Sequence, residues 1–277
     1  MNRRILLISA LVIVVVGALG GYTLWNWFLG SSQNASGPIH AVPLQDSAAS
    51  PTASTQGAAT QPTGTPQVAS QATAIQDAGT TASGSQVDAT TSPSGLQVFQ
   101  INQADSKAQF TIYEELMGEP NNVVGTTNQV AGQIGLNFNE LSTVKVGVIQ
   151  VDARGLTTDS NMRNRMIQNR ILNTGSFEFV TFTPTKISGL SGSATIGQSI
   201  QFQITGDLTI QDITKPVTFD VTAQAVSNSQ ISGKATATIQ RSDFNLQIPS
   251  VPRVANVGEQ VTLEIDFVAN AVNDSGN

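Results

Sequence analysis

The chain has 277 residues, a formal charge of −6, no cysteine and one histidine. The lack of cysteine excludes disulfides, thiolate metal sites, cysteine nucleophiles and the lipid-modified cysteine of a bacterial lipoprotein. The charges are spread thinly, with no basic run that would follow a phosphate backbone, so nucleic acid is not expected as a partner.

Residues 1–30 read as an N-terminal transmembrane anchor. Arg3 and Arg4 precede an uncharged apolar run from Ile5 through Leu24, and Trp25, Trp27 and Phe28 come next, where an aromatic belt would sit. About 20 helical residues cross a hydrocarbon core of ~30 Å. The next positive charge is Lys107, so the N-terminus is expected in the cytoplasm and the rest of this single-pass chain outside it. The alternative is a cleaved secretory signal, whose apolar region is usually only ~7–15 residues; either reading exports the C-terminal domain.

Residues 31–95 are dominated by Ala, Ser, Thr, Gln, Gly and Pro. Such a segment cannot offset the entropy of folding, and it reads as a disordered linker that lifts a domain off the bilayer. As a coil, ~65 residues have a root-mean-square reach of about 45 Å. His40, the only histidine, lies here and is read as incidental.

Residues 96–273 carry the β-branched and aromatic residues of a core, in segments that alternate with period two. Val130, Gly132, Ile134, Leu136 and Phe138 share one face, as do Ile200, Phe202 and Ile204 and then Leu208 and Ile210. Strands are predicted near 97–102, 107–115, 127–138, 143–153, 178–188, 199–211, 216–227, 231–241 and 260–271. Turns are expected at Asn102 to Asp105, Gly118 to Asn122, Ser188 to Gly197, Lys215-Pro216 and Gly258. The sequential order fits an antiparallel meander, as a sandwich or an up-and-down barrel. One helix interrupts it: Asp159 or Ser160 caps a segment in which Met162, Met166, Ile167 and Ile171 share a face and Arg163, Arg165 and Arg170 project elsewhere, with Asn173 and Gly175 as stops.

The domain offers little for catalysis. Without histidine or cysteine it has no Ser-His-Asp triad, Cys-His pair or histidine metal centre, and Glu114, Glu115, Asp152 and Asp243 show no converging spacing. No Gly-rich phosphate loop joins a strand to a helix. A non-enzyme without cofactor or metal is expected. Arg241 and Asp243 are close enough to pair or clamp a loop, and Arg163 reads as a solvated helix residue, with a contact to a lipid phosphate near the barrel mouth as the alternative.

These residues together resemble the YceI-like family of exported bacterial proteins. The resemblance runs from about Val98 to Ala271 and is carried by pieces in order. They are Phe99-Gln100-Ile101, Asp105-Ser106-Lys107-Ala108-Gln109-Phe110, Thr157-Thr158 with Arg163, Ile171-Leu172, Phe177 to Phe182, and Gly206-Asp207-Leu208-Thr209-Ile210. Thr214-Lys215-Pro216-Val217, Arg241-Ser242-Asp243-Phe244 and Val257-Gly258-Glu259-Gln260-Val261 complete the set. The family usually has Asp where this chain has Asn164, and Gly where it has Asn245, a residue that tolerates positive φ.

The resemblance implies an all-β fold: an eight-stranded antiparallel, lipocalin-like barrel with one inserted helix, a long apolar pore, and binding of polyisoprenoid or other long amphiphilic lipids. Eight strands enclose enough space to be filled by side chains or to hold one slim ligand. Read from alternation alone, the inward faces pack on one another; the resemblance favours a pore. Its expected walls are Phe110, Ile134, Phe138, Val148, Phe182, Phe202, Ile204 and Phe219; Met162 and Met166 read first as adaptable packing under the helix, with the border of a ligand entrance as the alternative. Gly132, Ala223, Ala225, Ala235 and Ala237 are expected to leave room. The expected function is thus a membrane-tethered extracytoplasmic lipid carrier with a long-chain lipid as its partner. The alternative is a ligand-free scaffold of the cell envelope.

Overall fold

The computed structural model describes residues 35, 37–44 and 95–272. The expected transmembrane helix and most of the linker lie outside the described residues. Among the described residues, no helix is long and apolar enough to cross a membrane.

Among the described residues, the fold is a curled, wholly antiparallel sheet with one helix. Its strands are β1 (Gln97–Ile101), β2 (Lys107–Leu116), β3 (Glu119–Thr127), β4 (Val130–Ala131), β5 (Gln133–Leu136), β6 (Lys145–Val146), β7 (Ile149–Asp152), β8 (Phe179–Ser188), β9 (Ser199–Ile210), β10 (Ile213–Ser227), β11 (Gln230–Gln240), β12 (Val254–Ala255) and β13 (Gln260–Ala271). The ladder runs β4-β7-β8-β9-β10-β11-β13-β1-β5-β6, while β2 pairs with β13, β3 and β12. The pairing thus gives thirteen segments where eight strands were expected. Long passages are broken where a local group interrupts the ladder: at Gly132 between β4 and β5, at Gly147 and Val148 between β6 and β7, and at a 3-10 turn (Gln103–Asp105) between β1 and β2.

That turn has a clear cause. Asn102 caps it by accepting from the Ala104 amide at 3.1 Å, and the Ser106 hydroxyl accepts the Val268 amide at 3.0 Å. Ser106 thereby satisfies β13 at the point where its partner changes from β2 to β1.

Two turns expected from sequence are strands instead. Glu119–Thr127 pairs with β2 across the two-residue turn Met117-Gly118, both at positive φ (56° and 88°). Pro120 is tolerated at the start of a strand that, among the described residues, has β2 as its ladder partner and touches Thr157 through Thr126 at its far end. Lys215 and Pro216 lie inside β10, opposite Leu208 and Asp207 of β9. β10 engages β11 only from Asp220 onward, so the other edge at Pro216 needs no amide donor.

Outer faces are held by cross-strand polar pairs. The hydroxyls of Thr205 and Thr218 lie 2.9 Å apart, those of Thr209 and Thr214 2.8 Å, and Gln203 donates to Asp220 at 2.8 Å. Lys234 bridges Glu264 at 2.7 Å and Asp266 at 3.1 Å, and hydrogen bonds to both hold its pKa above the usual lysine value.

Helix α1 (Asn161–Met166) starts at Ser160, whose hydroxyl accepts the Arg163 amide at 3.4 Å. It widens into a π-turn (Ile167–Ile171) and ends at Asn173, with φ of 47°. Met166 and Ile167 are buried as the spacing predicts, but Met162 is exposed. Arg163 is not a solvated residue. It pairs with the buried Glu114 of β2 at 3.1 Å and with Asp159 at the helix start, tying the helix to the β2–β3 hairpin.

Candidate ligand chamber

Inward positions of successive strands surround two apolar cavities of about 130 and 170 Å³. Ile149, Phe182, Phe219 and Ile265 line both, so the two chambers abut. The Phe182 and Phe219 rings meet edge to face at that boundary, with centroids 4.9 Å apart at 70°. The interior is therefore a bore divided by an aromatic pair.

Each chamber has its own cover. Leu141 and Val144, with Leu190 and Ala194 of the loop between β8 and β9, line the first. That loop is fixed by the Leu141 amide on the Gly192 carbonyl and the Ala194 amide on the Phe138 carbonyl, each at 2.8 Å. Ile167, Ile171 and Leu172 of the helical segment and Leu246 and Ile248 line the second. The residues from Arg241 to Glu259 are clamped by Arg241, which bonds Gly258 O at 3.1 Å, Leu246 O at 3.2 Å and the Glu259 carboxylate at 3.1 Å. Arg241 thus clamps a loop as expected, with Glu259 rather than Asp243 as its partner. Asn245, in place of the usual Gly, closes the turn at φ 51° and ψ 30°. Asn164, in place of Asp, accepts the Thr158 amide and hydroxyl at 2.7 Å each, a task that needs no charge.

Small residues keep the bore open by receiving rings. A Cβ on Gly125 would lie 2.2 Å from Phe110 Cε1, one on Gly206 would lie 2.7 Å from Phe182 Cζ, and one on Gly233 would lie 2.7 Å from Phe267 Cζ. Each ring occupies the space that a side chain at a glycine of the facing strand would take.

The expected wall residues divide into two groups. Ile134, Phe202 and Ile204 line the first chamber, Phe110 the second, and Phe182 and Phe219 both. Phe138, Val148, Met162 and Met166 line neither. Phe138 packs edge to face on the fully buried Phe99, with centroids 6.2 Å apart. Val148 sits at the break before β7, and Met166 is buried beneath the helix. Ala223, Ala225 and Ala235 do line the first chamber, but Ala237 belongs to the packed core. Gly132 leaves no room either, because Ile149 Cδ1 occupies the site its Cβ would take, at 2.4 Å.

The last strand was expected near 260–271, but its residues were not among the expected walls: Val261, Leu263, Ile265 and Phe267 present one apolar face to the chambers. Their alternation with Thr262, Glu264 and Asp266 was the available signal.

The polar groups on the walls are few: Gln224 in the first chamber, and Gln109, Arg241 and Glu264 in the second. Both charged ones are paired, Arg241 with Glu259 and Glu264 with Lys234. Among the described residues, no three metal-ligating side chains come together. The arrangement can bury an apolar chain.

Comparison with known proteins places this geometry. The model of the YceI-like domain matches residues 99–269, a span that contains both chambers. A UPF0312 protein of Vibrio vulnificus is 25% identical over 132 residues, covering 46% of this chain and 66% of the relative, just under two thirds of its length. A UPF0312 protein of Staphylococcus aureus is 24% identical over 174 residues, covering 60% of this chain and 93% of the relative. Among solved structures, a polyisoprenoid binding domain from Saccharophagus degradans, implicated in plant cell wall breakdown, aligns with a TM-score of 0.49 at 12% identity. It covers 64% of this chain and 99% of that one. BcnA of Burkholderia cenocepacia aligns with a TM-score of 0.47 at 20% identity, covering 61% and 99%. The family match spans well over half of the chain: the protein belongs to the YceI-like family.

Proposed function

We propose that this protein is a membrane-tethered, extracytoplasmic carrier that holds the chain of a long amphiphilic lipid, of the polyisoprenoid class, in its divided bore. The observation that carries the reading is the pair of abutting chambers with almost wholly apolar walls. Membership of the YceI-like family supports it, since that resemblance implies such a ligand. The tether and the location rest on the sequence: the apolar run from Ile5 to Leu24 and the lack of any positive charge between Arg4 and Lys107.

Magnitudes limit what the bore accepts at rest. A cavity of ~150 Å³ holds a benzene-sized guest, so the two chambers hold on the order of a dozen carbons. At ~0.8 kcal/mol per buried methylene, that is about 10 kcal/mol of gross transfer energy. An association cost of ~4–15 kcal/mol opposes it. A tightly held lipid therefore needs to extend beyond the resting chambers, with the Phe182 and Phe219 rings swung aside. The same divided interior favours the second reading, a ligand-free scaffold whose loops contact an envelope partner.

Native mass spectrometry of the exported full chain, followed by solvent extraction, separates the two. The carrier reading expects a stoichiometric adduct of lipid mass, or one that appears after incubation with prenyl alcohols. A bare mass that prenyl alcohols leave unchanged supports the scaffold.

A further inference from the structure

Residues 37–44 sit on the outer wall of the curled sheet. Ile39 is buried, at 9% exposure, and its carbonyl accepts from Gln103 Nε2. The Leu44 amide donates to Gln133 Oε1 at 2.9 Å. The Leu44 side chain fills the space in front of Gly147, with Cδ2 3.3 Å from where a Cβ would stand. His40, Val42 and Pro43 face solvent. The three anchor points fall where the ladder is broken: Gln103 in the turn after β1, Gln133 just after Gly132, and Gly147 between β6 and β7.

The sequence explains why this stretch docks. Ile39, Val42 and Leu44 are three of the six large aliphatic residues between Ser31 and Gly95. Pro38 and Pro43 each fix one backbone φ in the free segment, which lowers the entropy lost on docking.

We propose that residues 37–44 are a latch that binds this face of the domain in cis and holds the domain close to the bilayer. This rests on the reading that residues 1–30 anchor the chain in the membrane. With the latch closed, only residues 30–36 separate the domain from the anchor, a span of at most ~25 Å at ~3.5 Å per residue. Unlatched, the separation is set by a coil of ~65 residues with a mean reach of about 45 Å. Residues 45–94 then do not set the working height of the domain. A lipid-binding bore held at the membrane surface can exchange cargo with the bilayer without a long aqueous transit.

The absence of cysteine makes the test direct. The full chain carrying Leu44→Cys with Gly147→Cys is reconstituted in phosphatidylcholine vesicles and mildly oxidised, beside a control with Val42→Cys and Gly147→Cys. The latch is expected to give a disulfide in most molecules of the first and few of the second; equal yields overturn it. A dye on Ser142→Cys then reports energy transfer to headgroup-labelled lipid. Adding Ile39→Asp with Leu44→Asp is expected to cut the transfer at least twofold, and unchanged transfer overturns the positioning role. Flotation isolates the underlying membrane reading. A chain that cross-links but does not float with the vesicles overturns the anchor, and with it the positioning, while the docking contact stands.

Discussion

At the residue scale, the bore depends on glycines whose missing Cβ makes room for a ring, and their surroundings differ in a way that can be measured. The Cβ of Gly125→Ala meets only the edge of the Phe110 ring, at 2.2 and 2.5 Å, and a ring can turn away. That of Gly206→Ala also meets fixed backbone, Thr183 O at 2.5 Å and Pro184 Cα at 2.8 Å. Overpacking costs ~1–3 kcal/mol, and Gly206→Ala is expected near the upper end and Gly125→Ala near the lower. Urea unfolding of the two variants checks the order, and the reverse order would show that the ring rather than the backbone is the rigid neighbour. Phe110 lines the second chamber, so by displacing that ring Gly125→Ala is also expected to reduce lipid uptake while leaving the fold intact.

At the element scale, two ion pairs hold the cover over the second chamber. Arg163 joins α1 to Glu114 of β2, with side chains 20% and 7% exposed. Removing the cation leaves a buried carboxylate, so Arg163→Met is expected to cost about 3 kcal/mol, whereas Arg163→Met with Glu114→Leu recovers much of that loss. Thermal unfolding of both variants tests this, and a double variant no better than the single would deny that the buried charge is the cause. The other pair is sensitive to acid. The Ser242 hydroxyl and amide, and then the Arg241 guanidinium, hold the Glu259 carboxyl below its ordinary value of 4.5. A depressed carboxyl stabilises the fold above its unfolded value and loses that contribution as pH falls through the folded one. The clamp on the loop from Arg241 to Glu259 is therefore expected to loosen below about pH 4.5, seen as faster exchange of the Ser242 amide after correction for intrinsic rates. Glu259→Gln should exchange at the loosened rate already at neutral pH.

At the scale of the whole molecule, alternation was enough to place most strands and the inward face, because a half-buried strand writes its burial every second residue. It failed where a partner rather than a pattern decides the outcome. Glu119-Pro120-Asn121-Asn122 reads as a turn, yet it extends β3 because β2 offers it a ladder. Pro216 is admitted to β10 by an edge that β11 has not yet reached. Among the wall residues, parity could tell inward from outward, but it could not tell a lining ring from a packed one. Phe138 and Phe182 have the same inward character, and only the neighbours Phe99 and Gly206 send one into the core and the other into the bore. The docking of Ile39 and Leu44 was hidden for a different reason, since a single short strap has no period to detect. The most direct measurement on the bore is photo-cross-linking of the full chain with a prenyl alcohol carrying a photoreactive tail, followed by peptide mapping. Adducts on Phe202, Phe219, Val221, Leu263, Ile265 and Phe267 are the expected result. Adducts confined to the exposed residues Tyr113, Met117 and Val124 of the β2–β3 hairpin would contradict a lipid-holding interior.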